Sequence, residues 1–324
     1  MKVAIIHPAR PGIQAGNRVT AERWAGILRH LGCDTHVDGE WSGIPCDVLV
    51  ALHAGKSEPS IRRFREAHPD RPLIVAGTGT DIYGGAQPAA EVRAGLEFAS
   101  HIVVLQPNAL KALPADVRGK ARVVYQSVRV PAQTELPDPE RFDVALVANL
   151  RPIKDPLRTA SAARLLPASS RLQVFHAGSV LEADLGLEAD AEAARNPRYT
   201  FLGTLDHVAT LDRIARSHLL VNTSFGEGGA NVISEALALG VPLVCSDIPG
   251  STGLLGDDYP GLFPAGDESI LADLLWRAES DPSFLSRLRE HGASRAWITE
   301  PALELQSWRA LLFPGSREES APGP

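Results

Sequence analysis

Cysteine is scarce in this chain. Its three residues, Cys33, Cys46 and Cys245, are odd in number, scattered, and never in a Cys-x-x-Cys arrangement. That pattern gives no disulfide framework and points to buried reduced thiols, as in a cytoplasmic protein. Positive charge is not in excess: 32 Lys and Arg face 39 Asp and Glu, a net charge of −7. Neither nucleic acid nor a membrane surface is therefore indicated as a partner. No stretch approaches the roughly 20 apolar residues that span a bilayer. The opening MKVAIIHPARPG holds too short an apolar run for a signal peptide and reads as a first strand. Short-period repeats and low-complexity cores are missing too. What the chain does have is apolar side chain, 44% of 324 residues, enough for two cores of ordinary size.

Short β-rich runs alternate with helical patterns along its whole length. In the first half the strand candidates are 2–7, 47–53, 73–77, 102–105 and 123–126, with amphipathic stretches at 17–31, 61–67 and 91–100. "PAQTELPDP" (131–139) then interrupts the periodicity with three prolines and reads as a linker. A second series occupies 142–148, 172–176, 200–202, 218–222 and 243–245. Strands alternating with helices imply parallel sheets with right-handed crossovers. The expectation is an α/β protein of two Rossmann-like domains, 1–138 and 139–296. A C-terminal helix over 297–313 can cross back to the first domain, and 314–324 reads as a disordered tail. Ligands of such paired domains sit at the carboxyl ends of the strands, hence in the cleft between them.

The segment "FGEGGANVISEALALGVPLVCSD" (225–247) carries two glutamates, Glu227 and Glu235, across a strand-to-helix loop. HLLVNTS before it is a buried-strand pattern, and 230–239 is a good helix stopped by Gly240. Glycines Gly228 and Gly229 would let a ligand approach the backbone. The helix start at Ala230 and Asn231 would offer N–H groups to an anion. A separation of roughly 10 Å of helix axis, at 1.5 Å per residue, suits a sugar nucleotide. One carboxylate can accept from hexose hydroxyls and the other from a ribose diol. By themselves the two glutamates could equally be a residue complementing the helix dipole and an exposed mid-helix side chain.

The rest of the segment resembles the GT-B glycosyltransferases of the family 4 type, whose donor site carries Glu-x7-Glu. Glu227 and Glu235 match that pair, "SEALALGVPLVCSDIPG" matches the helix and strand beyond it, and "GLFPAGDESILADLL" (261–275) is similar to a later loop and helix. "VANLRPIKDP" (147–156) resembles the strand-end segment whose basic residues hold the donor diphosphate. Lys154 falls on the family lysine. The arginine position is occupied by Asn149, with Arg151 two residues on, which makes Arg151 the candidate second phosphate ligand. The resemblance implies a GT-B fold, with parallel sheets facing across a cleft, and a UDP-sugar donor. It places Glu235, Gly228, Gly229, Ala230, Asn231 and Gly16 at the donor, and Lys154, Arg151, Glu227 and His53 at the reacting centre.

The first half offers short polar strand ends and no amphipathic basic helix for lipids. "HPARPGIQAGNRVTAERW", "ALHAGKS", "GTGTDIYGG", "VVLQP" and "YQS", taken with the donor motifs, resemble one small subgroup, the selenosugar synthases of selenoneine biosynthesis. That resemblance implies attack of selenophosphate on the anomeric carbon of a UDP-sugar, notably UDP-N-acetylglucosamine, with UDP-glucose as the alternative. It also implies a functional link to a selenophosphate synthase and a selenoneine synthase. A small phosphoryl acceptor needs cations and N–H groups, which Arg10, Arg18, Lys56 and the Gly16–Asn17 helix start could supply. Ser57, Thr80 and Gln126 fall in the same polar strand ends. Each basic side chain could equally be a solvated surface charge, and His53 a hydrogen-bonded structural histidine. Asp81 could bind a sugar hydroxyl or close an Asx turn. No Asp-x-Asp follows a strand, so no metal is expected, and no cofactor besides the substrates. A hydroxyl or thiol acceptor, a thiophosphate acceptor, and a non-catalytic UDP-sugar sensor remain as alternatives. No GxGxxG follows the first strand, against a dinucleotide-dependent oxidoreductase.

Overall fold

The computed structural model describes residues 1–8, 16–83, 89–132 and 135–315. Their framework is two six-stranded sheets in which every pairing is parallel. The first holds β1 (Lys2–Ile6), β2 (Asp34–Asp38), β3 (Val48–Leu52), β4 (Leu73–Gly77), β5 (His101–Val104) and β6 (Ala121–Val123), in the order β2-β1-β3-β4-β5-β6. The second holds β7 (Phe142–Val147), β8 (Leu172–Ala177), β9 (Tyr199–Gly203), β10 (Leu219–Asn222), β11 (Leu243–Ser246) and β12 (Leu262–Phe263), in the order β12-β11-β10-β7-β8-β9. Helices of the first half are α1 (Gly16–His30), α2 (Glu58–Ala67), α3 (Ala90–Phe98), α4 (Asn108–Ala112) and α5 (Ala115–Arg118). Those of the second are α6 (Arg158–Arg164), α7 (Ala183–Arg195), α8 (His207–Ala215), α9 (Asn231–Leu239), α10 (Pro249–Leu255), α11 (Glu268–Ser280) and α12 (Pro282–Arg295), and the last helix is α13 (Pro301–Leu312).

The inner strands are buried on both faces, as runs such as VLVAL and LIVAG require. β2 (DTHVD) alternates between exposed and half-buried at a sheet edge, so its polar sequence carries no strand signal. β12, two residues long, is too short to show a strand period. α9 stops at Gly240, whose φ of 69° closes the helix in the left-handed region.

Strand order reverses between β1 and β3 in one sheet and between β7 and β10 in the other. Loops leaving those four strands diverge to opposite faces and leave a crevice at each carboxyl edge. The chain crosses between the halves twice, and Val128 N donates to Thr299 O at 3.0 Å where the crossings lie side by side. α13 then packs on the first half: Trp308 is fully buried against Trp24, ring centroids 4.8 Å apart and edge-on. No helix among the described residues is long and apolar enough to cross a membrane.

Candidate active site

A cleft of about 590 Å³ lies where the two crevices face each other. The loop after β7 contributes Asn149, Arg151 and Lys154, and the loop after β10 with the start of α9 contributes Glu227, Asn231 and Glu235. From the first half come Gly16 and Asn17 on α1, His53 and Lys56 after β3, and Thr80 after β4. Residues scattered over more than 200 positions thus share one cavity because all stand at strand ends or helix starts.

Lys154 is set by its turn. Asp155 adopts a left-handed φ of 43°, its carboxylate accepts from Arg158 Nε at 2.8 Å, and Thr223 Oγ1 donates to the carbonyls of Lys154 and Asp155. The ammonium that results donates to Glu227 Oε1, which also accepts from Ser224 Oγ at 2.7 Å. Asn149, at the position of the family arginine, accepts from Ser179 N at 2.9 Å through Oδ1. Arg151 lines the cleft, and its Nε is buried with no hydrogen-bond partner among the described residues.

Glu227 and Glu235 do straddle a helix start, though not on one helical face. α9 begins only at Asn231, so Glu227 belongs to the loop and Glu235 to the second turn. Glu235 is 6% exposed, and burial raises its carboxyl pKa to about 7, opposed by the charge of Arg23. His207 Nδ1, at the start of α8, stands 3.6 Å from its Oε1. Burial first, then Arg23, lowers the pKa of His207, so the imidazole is neutral near pH 7 and adds no charge beside that carboxyl. Nothing in the sequence marked His207, which a loop after β9 brings to the site.

Glycine at 228 answers to a neighbour rather than to a ligand. A Cβ there would lie 2.5 Å from the Thr78 carbonyl carbon and 2.7 Å from Gly79 N, backbone of the opposite half. Gly228 is accordingly absent from the cavity wall, where Gly229 and Ala230 remain. The two halves touch here through bare main chain.

On the first-half side His53 carries a left-handed φ of 69°, an unfavourable conformation for a side chain of this size. Lys56 N donates to His53 Nδ1 at 3.2 Å, which places the ring proton on Nε2, 3.1 Å from Thr80 Oγ1. Burial lowers the His53 pKa; nearby Asp81 raises it, and Lys56 and Arg151 lower it further. The ring is therefore neutral near pH 7 and donates from Nε2 to Thr80 Oγ1 at the cleft wall.

Several expected acceptor residues are hydrogen-bonded or paired within the protein, Gln126 among them although it lines the cleft. Asp81 is 4% exposed and accepts from Ala54 N, Thr78 N and Gly79 N at 2.8–2.9 Å, tying the loop after β3 to the loop after β4. Ser57 Oγ donates to Leu52 O at 2.7 Å and is buried. Arg18 pairs with Glu22 at 2.8 Å on the exposed face of α1. Gln126 is buried, donating to Thr20 Oγ1 at 2.9 Å and Asn231 Oδ1 at 2.7 Å; with its amide turned it donates to Gly229 O instead. Either way it links the halves. Arg10 lies outside the described residues.

That linkage continues to the C-terminus, unannounced by the sequence. Arg23 donates to Asn231 Oδ1 at 3.1 Å and to Glu304 on α13 at 3.2 Å. The Glu304 carboxylate, 1% exposed, also accepts from Trp24 Nε1 at 2.7 Å and from the main chain and hydroxyl of Ser127.

Residues 132–295 match the family profile described as glycosyl transferases group 1. Among solved structures, the Anabaena protein HepE in complex with UDP and glucose superimposes with a TM-score of 0.73 at 17% identity, over 96% of this chain and 99% of that one. Sucrose-phosphate synthase from Thermosynechococcus elongatus gives 0.76 at 16% identity, over 96% and 98%. The pneumococcal O-GlcNAc transferase GtfA, solved with UDP and GlcNAc, gives 0.64 at 15% identity, over 82% of this chain and 56% of that one. No curated protein matches in sequence. With two parallel six-stranded sheets facing across a cleft in the GT-B arrangement, and the profile covering half of its length, the chain belongs to the glycosyl transferases group 1 family.

Proposed function

We propose that the protein transfers a hexose from a UDP-sugar to selenophosphate, as a selenosugar synthase, with UDP-N-acetylglucosamine or UDP-glucose as donor. The observation that carries the donor half is the run from the Lys154–Glu227 pair along the start of α9 to buried Glu235, all on one cavity wall. Glu235 takes the ribose diol and Glu227 the hexose hydroxyls. The diphosphate lies between them, against Lys154 and the first N–H groups of the helix. Binding the donor then frees Lys154 from Glu227, so the same ammonium meets the charge that develops on departing UDP. HepE and GtfA, solved with UDP and with glucose or GlcNAc, support this class of ligand.

Support for the acceptor comes from the resemblance of the motifs and from the small polar wall opposite: Asn17, His53, Lys56 and Thr80. Selenium attacks the anomeric carbon, and the bond from that carbon to the diphosphate oxygen breaks with its electron pair going to UDP. Water then attacks phosphorus in the resulting selenophosphate ester, the Se–P bond breaks, and a 1-seleno-sugar and inorganic phosphate leave. No net oxidation occurs. His53, with Nδ1 filled by Lys56 N and its Nε2 proton on Thr80 Oγ1, does not act as a base; it turns the Thr80 hydroxyl proton toward a developing anion. A selenophosphate synthase would supply this acceptor, and a selenoneine synthase would consume the product.

The test is an anaerobic reaction with UDP-N-acetylglucosamine or UDP-glucose and selenophosphate, with the products identified by mass spectrometry. A seleno-sugar with matching release of UDP is expected. Turnover with an alcohol or sugar acceptor and none with selenophosphate returns the protein to the hydroxyl-acceptor glycosyltransferases. UDP-sugar binding without turnover of any acceptor makes it a sensor.

A further inference from the structure

We infer that Arg151 and Lys56, one from each half of the molecule, form an oxyanion clamp beside the hydrogen-bonded pair His53 and Thr80, and that this clamp holds the phosphoryl group of the acceptor. Arg151 is then an acceptor-specificity residue and not the second ligand of the donor diphosphate.

Three observations converge. First, the cations of the cleft divide by what they already hold. Lys154 is paired with Glu227, and its neighbour Arg158 with Asp155 and Glu268. Arg151 and Lys56 carry no ion pair among the described residues, and Arg151 Nε is buried without a partner. The Arg151 guanidinium is thus committed to no carboxylate among the described residues and is available to a ligand in the cleft. Second, both cations line the cavity that His53 also lines, although they come from opposite sheets, and each disfavours the charged form of that ring. Third, the ring between them is fixed as a donor. Lys56 N occupies Nδ1 at 3.2 Å, and Nε2 faces Thr80 Oγ1 at 3.1 Å.

Two unpaired cations and the Thr80 hydroxyl, whose oxygen accepts from His53 Nε2 and whose own proton is left to donate, make a set of donors with no carboxylate to accept from a sugar hydroxyl. The nearby Asp81 does not change this, because both its oxygens are taken by main-chain N–H groups. Such a set fits a tetrahedral oxyanion, and the planar fork of arginine suits two oxygens of a phosphoryl group. Because Arg151 and Lys56 belong to different halves, the clamp exists only with the cleft closed.

The role in turnover rests on the transfer proposed above, whereas the clamp itself is measured by binding alone. Inorganic phosphate is the probe, titrated into protein saturated with UDP, beside separate titrations with UDP. Arg151→Met and Lys56→Met should each weaken phosphate by about tenfold or more while UDP affinity stays within about twofold. Arg151→Lys should restore part of it, since charge is kept and the fork is lost. Lys154→Met should do the reverse, weakening UDP and sparing phosphate. Unchanged UDP affinity also shows that the variants fold. Loss of UDP affinity in Arg151→Met with phosphate unaffected overturns the clamp and makes Arg151 a donor ligand. Phosphate binding that depends on Arg151 and Lys56, in a protein that does not turn over selenophosphate, leaves the clamp standing and removes only the proposed acceptor.

Discussion

Replacing Glu235 by glutamine should make the ligand-free protein more stable and its donor binding worse, with the stability gain confined to high pH. Glu235 is 6% exposed, and desolvation raises its pKa from 4.5 to about 7. A folded-state value above the unfolded one means that its contribution is fully present below about pH 4.5 and is lost as pH rises through about 7. That interval, at 1.36 kcal/mol per pH unit, is roughly 3 kcal/mol. Glutamine fills the same space and does not titrate. At pH 8 Glu235→Gln should therefore melt several degrees higher than wild type, from about 2–4 °C per kcal/mol in chains of this order of size. At pH 4.5 the two should melt together. UDP-glucose, whose diphosphate does not titrate in this range, then tests the role: wild-type affinity should rise from pH 6 to pH 8 and that of the variant stay flat. At pH 8 the variant should bind about 1.5–3 kcal/mol more weakly, the usual value of a hydrogen bond to a charged group. A melting difference that is the same at both pH values, or UDP-glucose affinity unchanged by the substitution, would refute the reasoning.

The Lys154–Glu227 pair should give a double-mutant signature: Lys154→Met strands a mostly buried carboxylate, so adding Glu227→Gln should recover stability in urea unfolding while turnover stays down on the order of 10²-fold. Independent, additive losses in stability would mean the two side chains are not coupled. Glu227→Gln alone should spare UDP binding and impair turnover of the UDP-sugar. Gly228→Ala puts a methyl group 2.5 Å from the Thr78 main chain and should hold the halves apart, visible as a larger radius of gyration by X-ray scattering; an unchanged radius with full activity would show that the contact is dispensable. Glu304→Gln removes the charge that holds Arg23, Trp24 and Ser127, and should cost about 3–5 kcal/mol and expose α13 to limited proteolysis, whereas wild-type protease resistance would argue against the tie.

Much of this protein is local enough to be read from its residues. β-branched runs bounded by glycine and proline give the inner strands, and β4 at Leu73–Gly77 falls where the pattern puts it. Amphipathic spacing gives α1, Gly240 gives the end of α9, and the two alternating series give two parallel sheets. Each of these depends on backbone preference or burial period within about 20 residues. The family-like motifs are legible for a similar reason, since Lys154 and Glu227 sit on two strand-end loops and Glu235 on the helix that follows the second. What residues from distant loops do to one another had no signal. Asp81, Ser57 and Gln126 are polar strand-end residues like Thr80, yet their neighbours consume them: main-chain N–H groups, a strand carbonyl, and Asn231. Gly228 is small because Thr78 of the other half passes against it. Arg23 and His207 lie far apart in sequence yet meet at α9, and Glu304, which holds Arg23 there, arrives only after the chain has crossed between halves twice. A hydrogen bond or a buried charge is decided by the three-dimensional surroundings of one atom, and those surroundings are set only when the two sheets close on each other.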